Sequence, residues 1–244
     1  MTTSKKELIA LQFPFFENSY EKNLETLLSL IERAPNDSVI TAPELCLTNF
    51  SFDKMDEAAA FSLDAKKEIL KASRKKTIAL SMTENIEGKF YNSAKIFHDE
   101  EEIHSQPKVK LFTFGDEDKH FSPGLEDNIK IIEIDGLRYG ILICFEIRFI
   151  RFWLKLQGAD IILIPALWGK LRKEQLEAIT RSMAIINQAF VILSDSANDD
   201  MAKSSGIITP FGKEYRNDSS AYISHSADLG EIKKMRRYMN VGIK

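Results

Sequence analysis

The stretch Arg138-Tyr-Gly-Ile-Leu-Ile-Cys144-Phe-Glu-Ile-Arg148-Phe149 changes character at a single residue. Up to Ile143 it is apolar without alternation, the pattern of a short strand buried on both faces. Charged side chains begin directly after Cys144, and residues 149–157 are predicted to be helical. Asp160-Ile-Ile-Leu-Ile-Pro165 follows as a second buried strand. A cysteine at such a strand-to-helix junction stands at the carboxyl end of a strand, where open α/β sheets place their ligands.

Outward from this unit, similar alternation recurs towards both termini. Residues 7–13 are predicted as a first strand ended by Pro14, which cannot donate to a sheet ladder. Asn18 or Ser19 can cap a helix running to about Ala34, with Leu24, Leu27, Leu28 and Ile31 at i, i+3, i+4 and i+7 forming its buried face. Residues 38–42 are a second strand that delivers Pro43-Glu44 at its end, and this β-α-β unit favours a parallel pair. A helix over 54–76 and strands over 77–83 and 91–98 follow. The acidic turn Asp99-Glu-Glu-Glu102 suits solvent better than a metal, because adjacent carboxylates diverge along the chain. A strand is predicted through Lys108-Val-Lys-Leu-Phe112, then a long loop over 114–128, a length often functional in compact domains. Strands over 130–134 and 137–143 flank Asp135-Gly136, a strong hairpin signal. Beyond the cysteine unit come a helix over 173–188, strands over 189–194 and 205–209, a turn at Pro210-Phe-Gly212, a short strand at 222–224 and a tail without clear pattern. This order predicts an α/β layered sandwich of mixed sheets with helices outside. We expect one domain over 1–244.

Composition narrows the function classes. The chain has 244 residues, 44% hydrophobic and 28% charged, with net charge −3 and pI ≈ 5.9, an ordinary balance for a globular protein. It carries no polyanion-binding signature, so nucleic acid is not an expected partner. The basic cluster Lys233-Lys-Met-Arg-Arg237 reads as a solvated helix face. No apolar run approaches the ~18 residues of a membrane span, and the N-terminal stretch is too short for a signal-peptide core. The 2 cysteines, Cys46 and Cys144, form neither a disulfide framework nor a metal-site spacing. These features predict a cytoplasmic, thiol-reducing setting.

A nucleophilic cysteine needs a base or a positive neighbour, because the thiolate is the reactive species. Of the 4 histidines, His98 and His104 flank the acidic turn, His120 lies in the long loop and His225 is near the tail, none at a strand end in a convincing context for catalysis. Glu44 is the better base, since it follows a buried strand and burial raises a carboxyl's pKa towards the useful range. Its bland alternative is a structural glutamate, and Cys46 reads as a small core residue. A lysine on an adjoining strand can stabilise an oxyanion. Lys108 and Lys110 both qualify, and two residues apart on a strand they would face the same side, so periodicity does not choose between them.

Taken in order, Pro43-Glu44-Leu45, Lys108-Val-Lys-Leu-Phe112 and Cys144-Phe-Glu-Ile-Arg148-Phe149 resemble the Glu-Lys-Cys signature of the nitrilase superfamily of carbon–nitrogen hydrolases. Tyr91-Asn92, Phe121-Ser-Pro-Gly124, Pro165-Ala-Leu-Trp168, Arg181-Ser-Met-Ala-Ile-Ile-Asn187-Gln188 and Ser205-Gly-Ile-Ile-Thr-Pro210-Phe-Gly212 also sit where the family has similar segments. The family pattern Lys-x-His-Leu-Phe makes Lys108 the implied catalytic lysine. A second glutamate nine residues on matches Glu117, ahead of its neighbours Asp116 and Asp118. Three departures stand out: Lys110 for histidine, Ile150 for a proline and Ile186 for a glutamate.

The resemblance implies a four-layer αββα sandwich that pairs through helices into at least a dimer. It further implies amide hydrolysis through a Cys144 thioester, with Glu44 as proton carrier and Lys108 and the Phe145 N–H at the oxyanion. Glu117 would position substrate or water, and no metal or organic cofactor is implied. Trp168 and the loop over 114–128 are read as pocket lining, with a core position the equal alternative for Trp168. Length and the Arg-Phe after the cysteine look most like the ω-amidase branch, which cleaves the terminal amide of small ω-amido 2-oxo acids. A carbamoyl-amide hydrolase or a nitrilase is the alternative activity. An inactive scaffold and a redox-sensing cysteine protein are the alternatives of another class.

Overall fold

The computed structural model describes residues 5–243. Its strands are β1 (Lys5–Leu11), β2 (Val39–Thr41), β3 (Thr77–Ile86), β4 (Lys89–His98), β5 (Glu101–Pro107), β6 (Ile132–Ile134), β7 (Leu137–Ile141), β8 (Ile161–Pro165), β9 (Phe190–Ser194), β10 (Gly206–Ile208), β11 (Glu214–Arg216) and β12 (Tyr222–Asp228). The helices are α1 (Tyr20–Glu32), α2 (Met55–Ala72), α3 (Glu117–His120), α4 (Ile150–Lys155), α5 (Lys173–Asn187) and α6 (Gly230–Tyr238).

The strands form two six-stranded sheets, ordered β12-β1-β2-β3-β4-β5 and β11-β10-β9-β8-β7-β6. Each has three parallel strands at its centre, β1-β2-β3 in one and β7-β8-β9 in the other, with antiparallel strands outside them. The parallel centres are buried on both faces, which is why their sequences show no alternation. Leu8, Ala10, Val39, Ala79 and Ile96 point from the first sheet into the core shared with the second. Their neighbours Ile9, Leu11, Ile40, Ile78 and Phe97 point the other way, onto α1 and α2. Helix α5 covers the far face of β9 and β10. The result is the αββα sandwich expected from the sequence.

Local signals account for most boundaries. Asp135 and Gly136 both take positive φ, 51° and 74°, as a tight hairpin between β6 and β7 requires. On α1 the buried face is Asn23, Leu27, Leu30 and Ile31, with Leu24 and Leu28 half-buried, and the Ser19 side chain makes no capping bond. Asn23 instead ties the segment down, donating to the Phe16 and Leu47 carbonyls.

Several expectations need correction. The strand predicted through 108–112 is absent: β5 ends at Pro107, and Lys108 begins an irregular segment. Lys108 and Lys110 therefore do not share a strand face. The 114–128 loop contains α3 and two short 3-10 turns, Thr113–Gly115 and Glu126–Asn128. The tail is ordered: β12 runs seven residues against β1, and α6 follows. Its Arg236 is not solvated but pairs with Asp160 at 2.9 Å. Glu102 of the acidic turn likewise pairs, with Lys66 and Lys95.

Candidate active site

Carboxyl ends of the central strands converge on one cavity of about 510 Å³, within the range of small-molecule sites. Glu44 follows β2, Cys144 follows β7, and Leu167 and Trp168 follow β8; all four line it, together with Glu117 and Phe145. Backbone bonds carry strand ends across to one another: Glu44 N–H donates to Ala166 O at 3.1 Å, and Leu142 N–H to Leu163 O at 3.1 Å.

Cys144 begins a 3-10 turn, Cys144–Arg148, and takes φ 47°. That left-handed conformation is uncommon and strained for a residue with a Cβ, and such positions cluster at functional sites. The sharp turn exposes the thiol to the cavity, where its Sγ lies 3.6 Å from Leu167 O. Among the described residues the Phe145 N–H donates to no protein carbonyl.

Lys108 is fully buried, and its Nζ donates to Glu44 Oε1 and to Glu117 Oε1, each at 2.7 Å. Burial alone would strip such an ammonium of its proton, but the two carboxylates outweigh it and hold the pKa above the usual lysine value. Asn92 Nδ2 donates to the same Glu44 oxygen at 2.8 Å. The other, Glu44 Oε2, has no hydrogen-bond partner among the described residues. Glu117 Oε2 accepts the Phe112 N–H at 3.0 Å; burial, opposed by Lys108, pushes its carboxyl up.

The Cys144 thiol is pushed well above its ordinary value, first by burial and then by the Glu44 carboxylate beside it, with Lys108 opposing. Burial and the neighbouring Glu44 thus favour the thiol form of Cys144 over a standing thiolate.

Two buried acids here were not anticipated. Glu146 Oε1 accepts the Val109 N–H at 2.6 Å and, more weakly, the Lys110 N–H at 3.4 Å, while Oε2 accepts the Ile143 N–H at 2.8 Å. It thus fastens the cysteine turn to the segment carrying Lys108. Burial raises its carboxyl to about 7. Asp195, after β9, accepts the Trp168 and Ser196 N–H groups at 2.9 Å each, and burial raises it to about 7 as well. The available signal was an acid two residues from the cysteine, inside an otherwise apolar motif.

The walls are aromatic: Phe50, Phe52, Phe112 and Phe114, with Trp168 closing one side. Trp168 is only 3% exposed, so it serves as core and as lining at once. No histidine lines the cavity; His120 stacks on the outside of Phe52 at 4.1 Å. Cys46 is fully buried in the core beneath α1 and α2. Lys110 lies outside the cavity lining, its Nζ 5.8 Å over the Phe149 ring. Among the described residues no group of histidines, cysteines and acids is arranged to hold a metal ion, and no helix is long and apolar enough to cross a membrane.

The two-sheet sandwich thus carries, at the carboxyl ends of its central strands, a cysteine beside a buried lysine–carboxylate cluster. The sequence model of carbon-nitrogen hydrolases matches residues 10–228, and the chain belongs to that family, within the nitrilase superfamily. It is 28% identical over 222 residues to the 2-oxoglutaramate amidase of Bacillus subtilis (strain 168), covering 86% of this chain and 85% of that one. It is 25% identical over 236 residues to the mouse omega-amidase NIT2, covering 87% and 83%. Among solved structures, Saccharomyces cerevisiae Nit3, a member of branch 10 of the nitrilase superfamily, superposes with TM-score 0.86 at 22% identity, covering 98% of this chain and 95% of that one.

Proposed function

We propose that the protein hydrolyses the carbon–nitrogen bond of a small ω-amide through a Cys144 thioester, releasing ammonia. The observation that carries this reading is the pair of 2.7 Å bonds from buried Lys108 to Glu44 and Glu117 in the cavity that holds the Cys144 thiol.

Because the thiol form is favoured, its proton must leave as the sulfur attacks. Glu44 takes that proton through Oε2, the oxygen free of hydrogen-bond partners among the described residues. Sulfur bonds to the amide carbon, and the carbonyl electrons move onto oxygen, where Lys108 and the Phe145 N–H stabilise the charge. The C–N bond then breaks as Glu44 passes the proton to nitrogen, and ammonia departs. Glu44 next deprotonates a water held with the help of Glu117; the hydroxide attacks the thioester. The acid leaves and Cys144 recovers its proton, so atoms and charge balance with no further reactant. Lys108 keeps Glu44 oriented in every step.

The chain works as a single domain over 1–244, and its two free, buried cysteines suit a thiol-reducing, cytoplasmic setting. It pairs through α4 and α5. Ile150 and Leu154 on α4 are 56% and 60% exposed, and Ile186 on α5 is 53% exposed. Ile150 also lines a groove formed with Ile147, Trp153, Ile179 and Met183, in which Arg148 is the one charged side chain. An apolar patch of this kind marks an interface. The replacement of the family's proline and glutamate by Ile150 and Ile186 extends this face rather than altering the cavity.

The test is ammonia release across a panel of small ω-amides, carbamoyl compounds and nitriles. Turnover confined to ω-amides supports the reading, whereas turnover of carbamoyl compounds or nitriles alone assigns the site to the alternative activity.

A further inference from the structure

Away from the reacting cavity, α2 leaves a gap over the first sheet. The residues of β3 turned towards the helices alternate, Ile78, Leu80 and Met82, and Glu84 continues that row. On β4 the row that includes Phe97 continues to Lys95. Opposite them α2 presents Ala59, Ala60 and Ser62, too small to fill the space, and a cavity of about 260 Å³ remains between helix and sheet. None of its lining residues lines the cavity of Cys144.

Its buried lysine is fully engaged. Lys95 is 3% exposed, and its ammonium directs its three donors to Glu84 Oε1 at 2.5 Å, Ser105 Oγ at 2.9 Å and Glu102 Oε1 at 3.1 Å. Lys66 Nζ stands 2.5 Å from the other Glu102 oxygen.

Two acceptors are left over. Glu84 Oε2 is buried without a hydrogen-bond partner among the described residues. Ser62, 2% exposed, lines the cavity with an Oγ that likewise has none. A serine or threonine inside a helix can return its hydroxyl to the carbonyl four residues back, as Thr180 does to Leu176 O at 2.8 Å on α5. Ser62 does not. Buried polar atoms are ordinarily paired, so two unpaired ones in one cavity point to a guest that brings donors.

Charge decides the class of guest. Glu84, Glu102 and Asp56, the last in the first turn of α2, meet only Lys66 and Lys95, so the site keeps a negative charge. Unpaired acceptors and residual negative charge suit a cation that donates hydrogen bonds. Leu63 and Met82 add an apolar wall, of use to an alkyl chain and of none to a bare metal ion. The volume lies below the ~300 Å³ at which sites for drug-sized ligands begin, so the guest is small.

We infer that this cavity is a second binding site, separate from the reacting one, for a small free primary amine in its ammonium form. The ammonium rests on Glu84 Oε2 and Ser62 Oγ, and the alkyl chain lies against Leu63 and Met82.

The experiment titrates the methyl-labelled full chain with n-butylammonium chloride, n-butanol and sodium butyrate at fixed ionic strength, reading the Met82 and Leu63 methyl resonances. Saturable shifts are expected with n-butylammonium, at an affinity about 10-fold or more above that of the neutral and anionic analogues. Glu84→Gln is expected to weaken binding by about 10- to 100-fold, the loss of a hydrogen bond to a charged group, and Ser62→Ala by about 3- to 10-fold. Ser62→Ala leaves the Lys95 network intact, so it reads the site even where Glu84→Gln does not fold. No saturable shift up to tens of millimolar, equal affinity for n-butanol or butyrate, or unchanged affinity in either folded variant would overturn the inference. Nα-acetyl-lysine methylamide carries the same ammonium on a peptide; tighter binding of that compound than of n-butylammonium would assign the site to a protein lysine and overturn the free amine as its ligand.

Discussion

Glu146 Oε1 accepts the Val109 N–H at 2.6 Å, and this bond joins the turn that bears Cys144 to the segment that begins with Lys108. The second oxygen holds the Ile143 N–H, immediately before the cysteine. All the groups bonded to this carboxylate are donors, so a carboxylate fits and an amide does not. Glu146→Gln must turn its NH₂ towards one backbone N–H, leaving a buried donor unpaired at a cost of about 1–3 kcal/mol. Urea unfolding of the variant is expected to show that loss, with slower alkylation of Cys144. Unchanged stability would mean that the two segments are held together by something else.

Asp195, buried behind the cavity lining where it holds the Trp168 N–H, gives a test of the electrostatics. Its folded-state pKa, raised from 3.8 to about 7, means that the folded protein binds this proton more tightly than the unfolded chain does. Its contribution to stability is therefore greatest below pH ~4 and is lost as pH rises towards 7. Asp195→Asn keeps an acceptor for the Trp168 and Ser196 N–H groups and carries no titrating proton. The stability of Asp195→Asn relative to wild type should rise with pH between about 4 and 7, by up to about 1.4 kcal/mol per unit. A pH-independent difference in chemical-denaturation midpoints would contradict this.

The resting state of the cysteine has its own signature. Cys144 lines the cavity as a thiol beside Glu44, whereas Cys46 is fully buried and burial holds its thiol far above the ordinary range. Iodoacetamide should alkylate Cys144 in the folded protein and spare Cys46. Glu44→Gln should slow the Cys144 reaction by about 10-fold or more, the general-base contribution being roughly 10²–10⁴. Peptide mapping after timed alkylation reads both; equal labelling of the two cysteines would remove the case for an activated nucleophile.

Glu117 is assigned to the water step. Replacing it by alanine should lower kcat by about 10- to 100-fold, in the range of general acid–base contributions, and let acyl-enzyme accumulate. Rapid-quench mass measurement would show the adduct. A loss of rate without accumulated adduct would place Glu117 before thioester formation instead.

Much of this was legible in the chain. Continuous apolar runs at 141–143 and 161–165 identified doubly buried strands, and Asp135-Gly136 identified the hairpin. The order of Glu44, Lys108 and Cys144 marked the residues that the cavity brings together with Glu117. What was not legible depended on non-local partners. Residues 108–112 have the residues of a strand, but only the Lys108 N–H still reaches β4, at Asn92 O, and the next N–H, that of Val109, turns to Glu146 at 2.6 Å. Helix α6 has little apolar periodicity; its buried residues are Ile232 and Met235, and Arg236 anchors it to Asp160 and Ala159.

The pairing face proposed on α4 and α5 makes a separate prediction. Ile150→Glu with Leu154→Glu should convert a sedimenting dimer to monomer, because two exposed apolar side chains would become like charges facing one another. Wild type sedimenting as a monomer at tens of micromolar would overturn the assignment.

The most direct test of the account is the intact mass of the protein quenched during turnover of an ω-amide that wild type hydrolyses. The account predicts a transient increase by the mass of the acyl group, mapped to Cys144 and absent in Cys144→Ala, which releases no ammonia. Ammonia release by Cys144→Ala at the wild-type rate, or an acyl group mapped to another residue, would contradict it.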